Sequence, residues 1–467
     1  MPPPRRGARR RNAAAAKSTR ASRRLSVRRG EPFKRGSRGG GGAAAAGDDD
    51  GLPLSDESLL LVFSAISATI ADLVRCAATC RRWRRLVSAD AAFICRRATP
   101  RVADPFVRSL ALGFFHSRTD AAAPPRFAPL SAAGARLQPS LAALVGGASR
   151  VVASRNGRFV LDLRRRASAR TTHAVRLGVC NPVTAGCGGS VDVLPPLRGR
   201  DSPTGPYACT VITAADERGS EGWHHASYRV LLLYNRRSFT ALRCYSSDAG
   251  SWGPEAVVTG ARIGRNQLAV GPHAAVVHHG VVFWPRLAIA LRLDSLQPPR
   301  PAVSAAKSKG KTPPPRHTVA GFSPAARQRP SSQATKAERL LGVTPDGRML
   351  RVEADSETIR AYCGRDADAA DGDIRGASLT GEKLDWKWTM KQALMRVHTV
   401  RLRWLCEKSG LVIFTARNGG DPDTHVYTVD VETKQFRRVA TCSEATSSGE
   451  MCGYEMDRVT LLTSLGR

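Results

Sequence analysis

The sequence predicts an α+β multidomain chain: a small all-α module near the N-terminus, then a mainly-β domain read as a β-propeller, with a two-sheet sandwich as the alternative. Three observations carry this. Apolar residues recur at helical spacing between residues 52 and 93. From about residue 146, short apolar runs alternate with turn dipeptides. Two segments, 1–50 and 297–338, are basic and poor in apolar residues, and they set the boundaries. The expected order is a basic tail over 1–50, the helical module over 51–97, a connecting segment over 98–145, and the β domain over 146–467.

The tail accounts for much of the formal charge of +33: residues 1–50 carry a net +10, residues 297–338 a net +7, leaving +16 elsewhere. Rich in Arg, Gly and Ala, the tail cannot offset its ordering entropy and is expected to be disordered. Arg9, Arg10 and Arg11 with Arg23 and Arg24 read as a nuclear import signal or a nonspecific phosphate contact. An organelle transit peptide and a merely solvated tail are the competing readings. The basic clusters have no interleaved aromatic residue, which argues against base stacking and makes nucleic acid the lesser expectation. The expected location is the nucleus and/or the cytoplasm.

In the helical module, Leu59, Val62, Phe63 and Ile66 recur at helical spacing, with Ser55, Asp56 and Glu57 as polar cap and acidic first turn. A second helix starts from Asp72 as N-cap. Its stripe is Leu73, Cys76, Ala77, Cys80, Trp83 and Val87, which places Leu73 and Trp83 on one face. About forty residues cannot bury two such stripes alone. Packing on the rest of the chain is the bland explanation.

This stretch resembles an F-box, the module by which substrate receptors dock onto the Skp-type adaptor of cullin-based ubiquitin ligases. Leu52 and Pro53, the leucine-rich helix, Asp72 and Leu73, and Cys80-Arg81-Arg82-Trp83-Arg84 carry the resemblance. DLVRCAATCRRWRRLVSAD is its stronger half. Leu54 and Ser55 are two extra residues before the acidic pair, and Thr79 stands where a β-branched aliphatic is usual. The resemblance implies an adaptor-binding set of Leu52, Pro53, Leu59, Val62, Leu73, Cys80 and Trp83.

Six prolines break residues 98–145, while PFVRSLALGFF is apolar enough to pack as a strand or short helix. Beyond it the turn signals repeat. Asn156-Gly157 accepts the positive φ values of a tight hairpin, Gly280 marks another, and Pro345-Asp346-Gly347 a third. Strands are expected in VVASR, RFVLD, VRLGVC, VDVL, YRVLLLYN, SFTALRCYSS, AAVVHH, VVFW, ERLLGV, RMLRVEA, GLVIFTAR and HVYTVDVETKQFRRVA. Hairpins recurring every 40 to 60 residues fit blades that bury their faces on one another.

This region also resembles the β domain that follows the F-box in many plant, especially grass, F-box proteins. The matching motifs, in order, are Cys180-Asn181-Pro182-Val183-Thr184, Leu194-Pro195-Pro196, Tyr245-Ser246-Ser247, Gly250-Ser251-Trp252, His279-Gly280 and Gly453-Tyr454-Glu455-Met456-Asp457. They span 146–296 and 339–467. Between them, residues 297–338 are Pro-, Ser- and Lys-rich and are expected to be a disordered loop, which costs little closure entropy.

No phosphate loop, nucleophile elbow or zinc-protease motif is present, so no catalytic residue is expected. The 11 cysteines have no zinc-finger spacing, and no metal or cofactor is expected. No apolar run reaches the roughly 18 residues of a membrane span. His224-His225 and His278-His279 suit turn or surface roles. Trp223, Trp252, Trp284, Trp386, Trp388 and Trp404 are expected as core anchors. The expected function is that of a noncatalytic receptor, with the F-box holding the adaptor, and through it a cullin, while the β domain captures an unknown target. The alternative is a basic nucleic-acid-associated scaffold.

Overall fold

The computed structural model describes residues 54–66, 70–97, 110–116, 125–137, 141, 149–163, 175–185, 191–203, 205–214, 216, 227–258, 262–269, 275–287, 289–293, 316–317, 338–355, 358–363, 383–389, 397–418, 423–442 and 451–466. All of them belong to one compact unit that begins at Asp49. The tail and residues 52 and 53 lie outside the described residues.

Helices come first: α1 (Asp56–Ile66), α2 (Ile70–Thr79), α3 (Arg81–Ala89) and α4 (Ala91–Arg97). Three short helices, α5 (Ala132–Leu137), α6 (Pro182–Ala185) and α7 (Arg265–Ala269), lie among the strands, and α8 (Arg458–Ser464) follows the last one. Among the described residues the remainder is mainly β, in six sheets, none of which closes on itself.

The first sheet has the order β2 (Arg126–Pro129), β1 (Ala111–His116), β24 (Met451–Glu455), so the first and last strands of the domain pair antiparallel. The second is β3 (Arg150–Arg155), β4 (Arg158–Asp162), β5 (Leu177–Cys180) and β6 (Asp192–Val193). The third runs from β7 (Tyr207–Thr213) through β8 (Tyr228–Asn235) and β9 (Thr240–Ser246), which also holds β10 (Ser251–Trp252), to β11 (Ala256–Val258). The fourth is β12 (Val276–His278), β13 (Val281–Trp284) and β14 (Ile289–Arg292). After β15 (Arg316–His317), the fifth is β16 (Glu338–Val343), β17 (Met349–Ala354), β18 (Thr358–Cys363) and β19 (Lys383–Thr389). The sixth is β20 (Val397–Cys406), β21 (Leu411–Asn418), β22 (Thr424–Asp430) and β23 (Phe436–Cys442).

Strand periodicity explains how the sheets pack. Along β8, Val230, Leu232 and Tyr234 join the core shared with the second sheet, while Leu231 and Leu233 join the core shared with the fourth. A strand covered on both faces reads as an unbroken apolar run, as YRVLLLYN does. The same device repeats. Val276 and Phe283 pack with Leu341 and Val343 of the fifth sheet, Val352 of the fifth with Phe414 of the sixth, and Trp404 of the sixth with Phe114 of the first. Phe115 meets Phe159 of the second sheet edge to face at 4.9 Å between ring centroids.

Residues 98–145, expected as a connection with a strand or short helix in PFVRSLALGFF, supply β1 from that stretch, and it is the middle strand of its sheet, its apolar residues buried between β2 and β24. One expectation needs correction. Within 297–338, expected as one loop, Arg316 and His317 pair in parallel with the open edge of β11, where unpaired backbone groups await a partner, and Glu338 already opens β16. The rest of that segment lies outside the described residues.

Candidate docking surface

Helix α1 begins where the sequence places its cap: the Ser55 hydroxyl accepts the Ser58 N–H at 3.3 Å. Leu59 and Phe63, four residues apart, share the inward face and are 1% and 0% exposed. They pack with Leu73 and Ala77 of α2, Leu86 and Val87 of α3, and Ala91 and Ile94 of α4. Trp83 is half-buried and meets Phe63 edge to face at 5.2 Å.

The stripe expected as one helix from Asp72 to Val87 is two helices. Cys80 is extended (φ −150°, ψ 169°), and its sulfur caps α3 by accepting the Trp83 N–H at 3.4 Å. Leu73 and Trp83 therefore sit on different helices and do not share a face. Asp72 is not an N-cap either: it lies in the first turn of α2 and pairs with Arg75 at 2.6 Å.

The module's core is completed from the far end of the chain. Leu462 of α8 is fully buried in it, with Val459, Leu461 and Leu465 partly buried alongside. Asp457 caps α8 by accepting the Thr460 N–H at 2.8 Å. The β3–β4 turn fixes its approach: Gly157, at φ 75°, donates its N–H to the Glu455 carbonyl at 2.8 Å, and a Cβ there would meet Thr460 at 3.1 Å.

Beside the packed face, α1 and the residue Leu54 before it leave large apolar side chains exposed. Leu54, Leu61, Val62 and Ile66 are 43%, 50%, 40% and 48% exposed. Among the residues whose exposure is described, the only other large apolar side chain so exposed is Val193. A polar contact fixes the start of this surface. The Arg82 guanidinium donates from Nε to Asp56 at 2.9 Å and from Nη2 to the Leu54 carbonyl at 2.6 Å.

Of the seven residues expected at the adaptor, the structure thus exposes Val62 and half-buries Cys80 and Trp83. It encloses Leu59 and Leu73, whose effect on any partner runs through the fold of the module. Leu52 and Pro53 lie outside the described residues. Leu54 and Leu61, outside the expected set, are exposed as well, and for Leu61 the sequence holds a reason: the five consecutive apolar residues Leu59-Leu60-Leu61-Val62-Phe63 wrap more of a helix than one core can cover.

The β domain holds a second cluster, of charged groups. Arg155 at the end of β3 is buried and reaches Asp216 and Glu407, each at 2.7 Å. Asn156 donates to Thr213 at 2.8 Å and to Asp216 at 3.0 Å. Burial pushes both carboxyls upward. At Asp216, Arg155 and the Thr213 N–H outweigh it and hold the group below its ordinary value, whereas Glu407 stays above. Every member is paired, so the cluster is a tie between sheets. Among the described residues no group of three or more His, Cys, Asp or Glu is placed to hold a metal ion, and no helix is long and apolar enough to cross a membrane.

Comparison with known proteins agrees with the geometry of the helical module: the sequence model of the F-box-like family matches residues 54–96. The chain carries an F-box-like domain there, followed by a mainly-β domain. Solved structures that match include the periplasmic gluconolactonase PpgL of Pseudomonas aeruginosa, 10% identical over 74% of this chain and 99% of that one, with TM-score 0.35. A protein from Lactobacillus plantarum is 10% identical over 71% of this chain and 81% of that one, with TM-score 0.32. Likenesses this low carry no argument about activity. Comparison with the curated proteins gives no match.

Proposed function

We propose that this protein is the substrate-recognition subunit of an SCF-type (Skp–cullin–F-box) ubiquitin ligase, working in the nucleus and/or the cytoplasm without catalytic chemistry of its own. The F-box-like domain docks on the Skp-type adaptor, and through it on a cullin, while the β domain captures a target protein. Ubiquitin transfer is then promoted by position, since holding a target beside the conjugating enzyme raises its effective concentration.

The observation that carries this reading is the exposure of Leu54, Leu61, Val62 and Ile66, on and just before a helix that also supplies the module's core, within the residues that match the F-box-like family. Several large apolar side chains left in water within one short segment are a usual mark of an interaction site. For the β domain we propose a propeller whose six sheets act as blades, with the pairing of β1 and β24 joining its two ends. Support comes from the cores shared by successive sheets and, through Phe114 and Trp404, by the sixth and the first. The short motifs that resemble the grass F-box-associated domain fit this reading. Tyr454 donates to Asn181 at 2.7 Å, and Trp252 donates to the Pro195 carbonyl at 2.8 Å, so motifs far apart in sequence meet.

Affinity capture of the tagged protein from cells, read by mass spectrometry, tests the assignment. Recovery of a Skp-type adaptor with a cullin is the expected result. Recovery of neither, with the bait intact, contradicts it.

A further inference from the structure

Four segments meet at one end of the third and fourth sheets, and their contacts place them in a row. Arg236, in the β8–β9 turn, donates to the Ser202 carbonyl at 3.1 Å, so the 198–202 segment lies beside that turn. On the other side Asn235 donates to the Ile263 carbonyl at 2.8 Å, and the Ile263 N–H reaches Thr240 at 3.1 Å. Helix α7 then packs against the turn Pro285–Leu287, with Leu268 and Leu287 in one core.

The row is basic. Arg198, Arg200, Arg237, Arg262, Arg265 and Arg286 are all exposed, and none is paired with a described carboxylate. The two nearby acids are already engaged: Glu255 is held by Arg236, whose Nε lies 2.9 Å from it, and Asp201 pairs with Arg243. Asp201, itself 64% exposed within the first segment, is thus neutralised by the buried Arg243, and the six exposed arginines keep their guanidinium forks open to a carboxylate from outside.

We infer that this row is the target-capturing surface of the β domain and that it binds an extended acidic segment of the target protein. The inference rests on the receptor reading given above. Several arginines along a line suit a strand-like peptide with carboxylates at successive positions, because such a peptide can satisfy several forks without folding. Nucleic acid is the lesser fit. Among the residues whose exposure is described, those of the four segments included, no large aromatic side chain is exposed, so the row lacks a platform on which bases would stack.

The test uses the full chain and a variant combining Arg198→Ser, Arg237→Ser, Arg262→Ser and Arg265→Ser, both retaining the basic tail. Fluorescence anisotropy follows a labelled decapeptide of alternating glutamate and aspartate, its glutamine/asparagine counterpart, and a short single-stranded DNA and RNA. The expected result is binding of the acidic decapeptide only. It weakens at least about tenfold in the variant and falls with added salt, as exposed ion pairs do, with thermal unfolding unchanged. No binding of the acidic decapeptide by the wild type, or equal binding by both proteins, overturns the inference. So does an oligonucleotide that binds more tightly than the decapeptide and loses its affinity with the same four substitutions. Adaptor binding is measured on both proteins as well. Its absence in both counts against the receptor reading, and the decapeptide result is judged separately.

Discussion

Arg82 and Asp56, 26 residues apart, are joined at 2.9 Å, and the same guanidinium holds the Leu54 carbonyl. Helix α3 thereby fixes the first residue of α1 and, with it, one end of the exposed apolar face. Arg82 is 14% exposed and its partner 44%, so the ion pair itself contributes below about 1 kcal/mol. Arg82→Ala is expected to lower stability by about 1 kcal/mol, counting the lost hydrogen bond. It should also weaken adaptor binding severalfold, because Leu54 loses its anchor. Chemical denaturation and calorimetry check the two effects separately.

Leu462 is the residue through which the end of the chain enters the helical module. Truncating a fully buried leucine costs about 2–5 kcal/mol. Leu462→Ala should therefore raise amide hydrogen exchange throughout α1 to α4. The third and fourth sheets, which share no core with α8, should keep their protection. Equal exchange in α1 to α4 of both proteins would remove α8 from the module.

Arg155→Ala leaves Asp216 and Glu407 buried without their cation, and breaking such a group is expected to cost about 3–5 kcal/mol near neutral pH. The sign of its pH dependence follows. In the variant Lys408 and, at Asp216, the Thr213 N–H still oppose burial, but Glu407, already above its ordinary value, loses the main charge that opposes its burial and rises further above its unfolded value. A raised carboxyl pKa destabilises the folded state at high pH and is relieved as pH falls through it. The stability gap between variant and wild type should narrow from pH 7 toward pH 5, as read by denaturant unfolding at each pH.

Much of the fold was legible because its signals are local. Asn156-Gly157 forms the expected hairpin, with φ values of 48° and 75°, and His279-Gly280 turns between β12 and β13 at 45° and 72°. Trp284 and Trp404 are buried anchors, as their context suggested. What sequence alone did not reveal depends on distant partners. PFVRSLALGFF reads equally as strand or short helix, and it is the pairing with β24, more than three hundred residues later, that makes it β1. The core of the F-box-like domain is incomplete until α8 arrives. Helical spacing also ran through Cys80 without a break, since nothing in the apolar pattern marks a residue whose backbone turns extended and whose sulfur caps the next helix.

The docking account stands on the exposed face of α1, and Leu61 and Val62 probe it without touching the module's core. Each buried leucine or valine contributes about 1.5–3 kcal/mol when a partner covers it. Isothermal calorimetry would compare a purified Skp-type adaptor with the wild type and with Leu61→Glu/Val62→Glu, using circular dichroism to confirm equal folding. The wild type should bind, and the variant should bind more than about tenfold more weakly, with an unchanged melting curve. Equal affinity for the two proteins, or no binding by the wild type, would contradict the docking account.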